Sequence, residues 1–246
     1  MQMQASILMD ELGFTRQVEQ AYCQMFTRWS RDTASNAVEA VPSTEAMHTL
    51  VSLFQNQAWE LGTQTARSLV ARYPRHGYSW KLLGSFLHQQ GQLDEALHAK
   101  RRAVQLLPDD TEALFNLARA YEQKGQMVLA EHSYRAVIAL LPGDAEAHHN
   151  LGNALHGQGL RDAAMRCYRE ALRLQPNFAA AHMGLGRLLQ DSGNVVEAES
   201  VWRSLLRLMP KDIQATLHLS RALQRQGRRA EAEACIRGRL LHESAD

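Results

Sequence analysis

The fold is decided by residues 77–110, which read GYSWKLLGSFLHQQGQLDEALHAKRRAVQLLPDD. Glycine, alanine and proline residues of this stretch recur along the chain at a constant step of 34 residues. The three rows are Gly91, Gly125, Gly159, Gly193 and Gly227; Ala96, Ala130, Ala164, Ala198 and Ala232; and Pro74, Pro108, Pro142, Pro176 and Pro210. Three residue types that share one phase indicate a structural repeat rather than a bias of composition.

Each recurring residue has a mechanical role in a pair of helices. The glycine follows an apolar stretch of helical spacing, where the chain must adopt a positive φ to leave the helix. The alanine lets a second, antiparallel helix approach the first closely. The proline ends that second helix, because it lacks an amide hydrogen and disfavours the α conformation of the residue before it. Asp110, Asp144 and Asp212 are placed to cap the next helix, and Phe178 at the same position predicts a weaker cap.

The repeat therefore predicts an all-α protein. One helical hairpin cannot cover its own apolar face, so consecutive antiparallel hairpins must stack into an α-solenoid. The expected units are 43–76, 77–110, 111–144, 145–178, 179–212 and a degenerate last unit at 213–246. The last unit lacks the closing proline and is rich in arginine, which suits either a solvated cap or a patch for an anionic partner.

Residues 1–42 do not follow the repeat and are expected to form an amphipathic helix and a linker. Their apolar residues are spaced to form one stripe along a helix: Phe14, Val18, Tyr22, Met25 and Trp29. The stripe suits two roles, namely covering the open end of the first hairpin or docking onto another copy of the chain.

Composition excludes several classes of function. Lys and Arg total 27 and Asp and Glu total 26, so the net charge of +1 argues against charge-driven binding to nucleic acid or an anionic membrane. Cys23, Cys167 and Cys235 are too few and too widely spaced for a disulfide framework, which favours reduced thiols. No stretch approaches the ~20 apolar residues of a membrane span. Because the first residues also lack the features of a secretion signal, we expect a cytoplasmic protein.

The repeat resembles a known family. The residues that carry the resemblance are Trp80, Leu83, Gly84, Gly91, Ala96, Ala103 and Pro108, which are similar to the tetratricopeptide-repeat (TPR) signature. The resemblance extends over about residues 43–242 and is clean in the unit 145–178. It implies a right-handed superhelix in which the first helix of each hairpin lines a concave surface that binds another protein.

On this geometry the 34-residue step identifies the positions that face inward. Three rows follow, namely Ser85, Arg119, Asn153, Arg187 and Arg221; Leu82, Asn116, Asn150, Gly184 and His218; and Lys81, Phe115, His149, Met183 and Leu217. The predicted partner-binding residues are Lys81, Ser85, Phe115, Asn116, Arg119, His149, Asn150, Asn153, Arg187 and Arg221.

The arginines of the first row allow two interpretations. They could bind carboxylates of an acidic partner in bidentate fashion. Alternatively, carboxylates at neighbouring inward positions neutralise them within the array; these are Glu112, Glu122, Glu146 and Asp191.

Asn116 and Asn150 occupy equivalent positions, where paired amides could clamp the backbone of an extended peptide. They resemble two rungs of the asparagine ladder in the repeats of bacterial O-linked N-acetylglucosamine transferase-like proteins. Leu82, Gly184 and His218 interrupt the ladder. The two-carboxylate clamp of chaperone-binding TPR proteins is absent, because its final basic pair is replaced by Glu146 and Asn150.

No catalytic or phosphate-binding motif is present, and the histidine pair His149 and His156, seven residues apart, lacks a third ligand. The sequence predicts a non-enzyme without cofactor or metal, which works as an adaptor that binds a peptide or helix of a partner. One alternative is a module that presents substrate to a bacterial glycosyltransferase or sulfotransferase, because residues 75–91 resemble repeats that precede such domains. The other alternative is a self-assembling scaffold.

Overall fold

The computed structural model describes the backbone of residues 41–243 and the side chains of residues 41–237. All twelve regular elements in this part are α-helices. They are α1 Thr44–Gln55, α2 Trp59–Arg72, α3 Gly77–Gln89, α4 Leu93–Leu106, α5 Thr111–Gln123, α6 Met127–Leu140, α7 Ala145–Gly157, α8 Arg161–Leu174, α9 Ala179–Asp191, α10 Val195–Leu208, α11 Ile213–Arg225 and α12 Arg229–Glu243. The all-α prediction is confirmed. The predicted stripe from Phe14 to Trp29 lies outside the described residues.

The described residues divide into two compact units, 41–106 and 107–243. In the first unit α2 packs on both α1 and α3, and α3 pairs with α4. In the second unit each odd-numbered helix pairs with the helix that follows it, and the second helix of one hairpin packs on the first helix of the next. Each unit is therefore an array of antiparallel hairpins stacked in sequence order. None of the helices between residues 41 and 243 is long and apolar enough to cross a membrane.

The turns and caps follow the mechanical roles expected of the repeat. The five recurring glycines have φ between 71° and 81°. Asp110, Asp144 and Asp212 each accept a hydrogen bond from the backbone N–H three residues later, at 2.9–3.0 Å. Phe178 makes no side-chain cap, as predicted. The recurring alanines are at most 1% exposed, which confirms their place in the contact between paired helices.

Glycines also mark places where an aromatic ring fills the contact between helices. Phe86 is fully buried in the first unit, and a Cβ at Gly62 would lie 2.0 Å from Phe86 Cε1. In the second unit a Cβ at Gly152 would lie 2.7 Å from Tyr168 Cε1, and one at Gly184 would lie 2.8 Å from Tyr168 Cζ. Tyr168 of α8 therefore lies between the neighbouring first helices α7 and α9, and it requires glycine on both sides.

Glutamines at the turns tie consecutive hairpins together. Gln158, after α7, donates to Glu131 Oε2 at 2.7 Å and to the Met127 carbonyl oxygen at 3.3 Å, both in α6. Gln226 repeats this pattern after α11 and donates to Glu199 Oε2 of α10 at 2.8 Å. These hydrogen bonds fix the position of α7 against α6 and of α11 against α10. The candidate site lies on the first helices of these hairpins.

Candidate partner-binding face

We define the first-helix face as the predicted inward positions of α5, α7, α9 and α11 in the second unit, together with Arg225, which lies four residues after Arg221 on α11. It comprises Glu112, Phe115, Asn116, Arg119 and Glu122 of α5; Glu146, His149, Asn150 and Asn153 of α7; Met183, Gly184, Arg187 and Asp191 of α9; and Leu217, His218, Arg221 and Arg225 of α11. Within the unit α7 contacts α9 and α9 contacts α11, so the positions on these three helices are neighbours, and α5 is connected to α7 through α6, which packs on both.

Two predicted partner-binding residues, Lys81 and Ser85, belong to α3 of the first unit. Lys81 is only 5% exposed, and its Nζ lies 5.6 Å from the centre of the Tyr78 ring. Ser85 is half-buried, and its hydroxyl donates to the Lys81 carbonyl oxygen at 3.1 Å. Little of the Lys81 side chain is therefore accessible to a partner.

Two asparagine amides on the first-helix face are poorly satisfied. Asn116 is half-buried, and its side chain makes no hydrogen bond to another residue of the described part. Asn150 accepts one long hydrogen bond from Asn153 Nδ2, at 3.5 Å, and its own amide N–H groups have no described acceptor. Each therefore keeps both donor and acceptor capacity for a ligand.

The structure explains why the asparagine ladder stops after two rungs. The ring of Tyr168 occupies the space that a side chain at Gly184 would need. His218, the next position, stacks on Trp202 with the ring centres 4.6 Å apart and the planes 10° apart. Its Nδ1 lies 2.8 Å from Gln190 Oε1, and Gln190 Nε2 donates to the His218 carbonyl oxygen. His218 therefore joins α9 to α11 and does not serve as an amide rung.

The side chain of Asn153 takes part in a hydrogen-bond network with other residues of the array. Its Oδ1 accepts a hydrogen bond from the Tyr168 hydroxyl at 2.8 Å, and its Nδ2 lies 3.2 Å from His149 Nε2. The His149 ring packs between Tyr168 and Phe178, with ring centres 5.5 and 5.0 Å away. Burial lowers the pKa of His149 to about 4 and raises the pKa of Tyr168 to about 12. Phe178, which sequence reasoning considered only as a missing cap, is the residue that covers His149.

Arg119 interacts electrostatically with two carboxylates, Glu122 and Glu146. Burial raises the pKa of Glu122 and of Glu146, and the positive charge of Arg119 acts in the opposite direction on both. Glu122 also accepts a hydrogen bond from the Tyr134 hydroxyl at 3.0 Å, and the Tyr134 ring packs against Phe115. The structure thus favours the interpretation that carboxylates of the array neutralise the charge of Arg119.

Arg187 and Arg221 differ from Arg119. Both are exposed, and neither forms an ion pair with a carboxylate of the described residues. Burial lowers the pKa of His218, and the charges of Arg221 and Arg187 lower it further, so both guanidinium groups lie near this histidine. The negative charge of Asp191 raises the pKa of His218. These two arginines are therefore available to an anionic ligand.

Residues 41–237 contain no group of three or more His, Cys, Asp and Glu side chains placed to hold a metal ion. The free thiols described are Cys167 and Cys235, and burial raises the pKa of both. The first-helix face presents amides, guanidinium groups and carboxylates, which suit recognition of a polypeptide.

Comparison with known families agrees with this architecture. Models described as tetratricopeptide repeats match residues 113–146, 145–178, 179–204 and 213–237, and one described as a TPR repeat matches residues 84–125. Together these matches cover more than half of the chain. No curated protein sequence matches it.

Solved structures share the fold at low sequence identity. A MamA protein is 24% identical with a TM-score of 0.65 over 68% of this chain and 92% of its own. A tetratricopeptide repeat protein from Parabacteroides merdae is 20% identical with a TM-score of 0.66, over 79% of this chain and 77% of its own. YrrB, described as a TPR protein with an unusual peptide-binding site, is 16% identical with a TM-score of 0.60, over 69% of this chain and 88% of its own. At these identities the likeness shows the fold alone.

Proposed function

Because the chain belongs to the tetratricopeptide-repeat family, we propose that it is a protein-interaction scaffold that holds an extended segment of a partner on the first-helix face. The observation that carries this proposal is the pair of poorly satisfied amides, Asn116 and Asn150, one repeat apart on the first-helix face. Such amides suit an extended backbone, whose N–H and C=O groups are open, better than a helix, whose groups are paired internally.

The arginines add a preference for acidic residues in the partner. Arg187 and Arg221 are exposed, occupy equivalent positions of α9 and α11, and lack a carboxylate partner among the described residues. A guanidinium group binds a carboxylate in bidentate geometry, so an acidic side chain near the bound backbone would satisfy each of them. The likeness to YrrB, described as having a peptide-binding site, is compatible with this proposal.

A displayed library of random twelve-residue segments, selected on the immobilised full chain, tests the proposal. We expect related sequences to be enriched, and the corresponding synthetic peptides to bind in a fluorescence anisotropy assay. The double variant Asn116→Ala/Asn150→Ala should weaken binding at least tenfold, because a backbone N–H and C=O lose their partners. Asn177→Ala, an exposed residue of the turn before α9, is the matched control and should leave binding unchanged. Equal binding by both variants would rule out the amide clamp.

The two alternative functions, self-assembly and presentation of substrate to an enzyme, are tested by different measurements. Self-association through Phe14, Val18, Tyr22, Met25 and Trp29 predicts that the mass measured by light scattering rises with concentration. It also predicts that deletion of residues 1–31 abolishes this rise. A role beside a glycosyltransferase or sulfotransferase is supported only by the sequence of residues 75–91. It predicts that the enriched segments are acceptor sequences of such an enzyme.

A further inference from the structure

The charges of the first-helix face are segregated along the second unit. At the α5–α7 end, three carboxylates accompany one guanidinium group: Glu112, Glu122 and Glu146 with Arg119. At the α9–α11 end, three guanidinium groups accompany one carboxylate: Arg187, Arg221 and Arg225 with Asp191. The capping aspartates add two carboxylates at the α5–α7 end, Asp110 and Asp144, and one at the α9–α11 end, Asp212, so they increase the difference.

The contacts of the face maintain this separation. Arg119 is held among Glu122 and Glu146, so the α5–α7 end keeps an excess of carboxylate. Arg225 donates to the Gln190 carbonyl oxygen at 2.7 Å, a neutral acceptor that leaves its charge uncompensated. Between the two ends lie the neutral His149, packed on Phe178, and the apolar Met183.

From this arrangement we infer that the first-helix face binds its partner segment in one direction. A cationic side chain of the segment lies over Glu122 and Glu146, and acidic side chains lie over Arg187 and Arg221. This inference rests on the proposed function and adds the charge order of the partner. In the opposite direction every pair of charges would repel, so the face discriminates against the reversed segment as well as attracting the right one.

The geometry also sets the length of the segment. Packed helices lie ~8–10 Å apart, so the two steps from the middle of the α5–α7 end to the middle of the α9–α11 end span roughly 16–20 Å. An extended chain advances about 3.3 Å per residue, which places the cationic and acidic residues roughly five to six positions apart.

Selection of the displayed twelve-residue library on two forms of the full chain tests the inference. One form is the wild type, and the other is a face-reversed variant carrying Glu112→Lys, Glu146→Lys, Arg187→Glu and Arg221→Glu. Glu122 is left unchanged because it accepts the Tyr134 hydrogen bond. A control variant reverses the same number of exposed charges elsewhere, with Glu60→Lys, Arg101→Glu, Arg166→Glu and Glu233→Lys. Circular dichroism verifies that all forms keep their helical content.

We expect wild-type selections to enrich segments with basic and acidic residues in one fixed order, and the face-reversed variant to enrich the opposite order. A wild-type peptide should bind the face-reversed variant at least tenfold more weakly at low salt and the control variant equally well. Enriched segments without a fixed charge order, or with the same order on both forms, would overturn the inference and leave the scaffold proposal standing. A wild-type selection that enriches nothing would overturn the scaffold proposal itself.

Discussion

At the scale of single residues, His149 lies in a site that suits only its neutral ring. Tyr168 and Phe178 cover its two sides, and its Nδ1 is buried without a hydrogen-bond partner. Its Nε2 faces the Asn153 amide nitrogen, whose orientation is set by the Tyr168 hydroxyl on the amide oxygen. A proton on Nε2 would therefore face a donor, which adds to the cost of removing the charged ring from water.

We predict that mild acid destabilises the protein in part through His149. Its pKa falls from 6.5 to about 4 on folding, so the unfolded chain binds more protons between these two values. The contribution of His149 to stability is complete above pH 6.5 and declines as the pH falls towards 4. The loss of thermal stability between pH 7 and 4.5 should be several degrees smaller in His149→Gln than in the wild type. His132→Gln, an exposed histidine of α6, should behave as the wild type, and an identical loss in all three proteins would contradict the argument.

At the scale of elements, one buried carboxylate joins α10 to the hairpin that follows it. Glu199 of α10 accepts hydrogen bonds from Arg203 at 2.9 Å, from Gln226 at 2.8 Å and from Arg228 at 2.6 Å. Gln226 and Arg228 lie in the turn between α11 and α12, so this carboxylate fixes the start of α12. Glu131 of α6 accepts a hydrogen bond from Gln158 in the same way, two hairpins earlier in the chain.

Replacement of Glu199 by alanine should loosen α12 more than the helices before it. The variant leaves the Gln226 amide and the Arg228 guanidinium without this acceptor, and we expect about 1–3 kcal/mol of lost stability. Hydrogen exchange measured by mass spectrometry should rise in residues 229–243 and stay nearly unchanged in α5 to α8. Glu233→Ala, an exposed residue of α12, is the control. A uniform rise along the chain would show that Glu199 has no local role.

At the scale of the whole molecule, stability within each unit comes from hairpins that cover one another. In the second unit Trp202 of α10 is fully buried and stacks on His218 of α11, and Gln190 joins α9 to the same histidine. No hairpin of such an array buries its apolar face without a neighbour.

A chain ended after Leu208 should therefore lose stability out of proportion to its length. The truncation uncovers Trp202 and Leu205, both fully buried in the described structure. We expect a lower unfolding temperature by circular dichroism and binding of a hydrophobic dye, because apolar surface becomes exposed. A chain ended after Glu243, which keeps all of α12, is the control. An unchanged unfolding temperature in the shorter chain would mean that α11 and α12 do not stabilise the rest.

Local patterns were predictable from the sequence alone. The period, the helical hairpins, the positive φ at Gly125 and the cap at Asp110 depend on backbone conformation and on contacts between near neighbours in sequence. The candidate surface was predictable in outline, because a helix of known phase presents known positions to one side. Asn116 and Asn150 have poorly satisfied amides, and their role as a clamp for a peptide backbone stays a prediction.

Tertiary structure alone decided which of these positions remain open. Arg119 lies among carboxylates while the equivalent Arg187 has no described ion pair, and the single step of the repeat does not distinguish them. The Tyr168 ring fills the space beside Gly184, so no amide side chain fits at that position. The glutamines of the turns form hydrogen bonds with residues that lie 27 to 31 positions earlier in the chain. Contacts at such separations depend on how neighbouring helices pack, because the volume and charge of several side chains together determine which atoms meet.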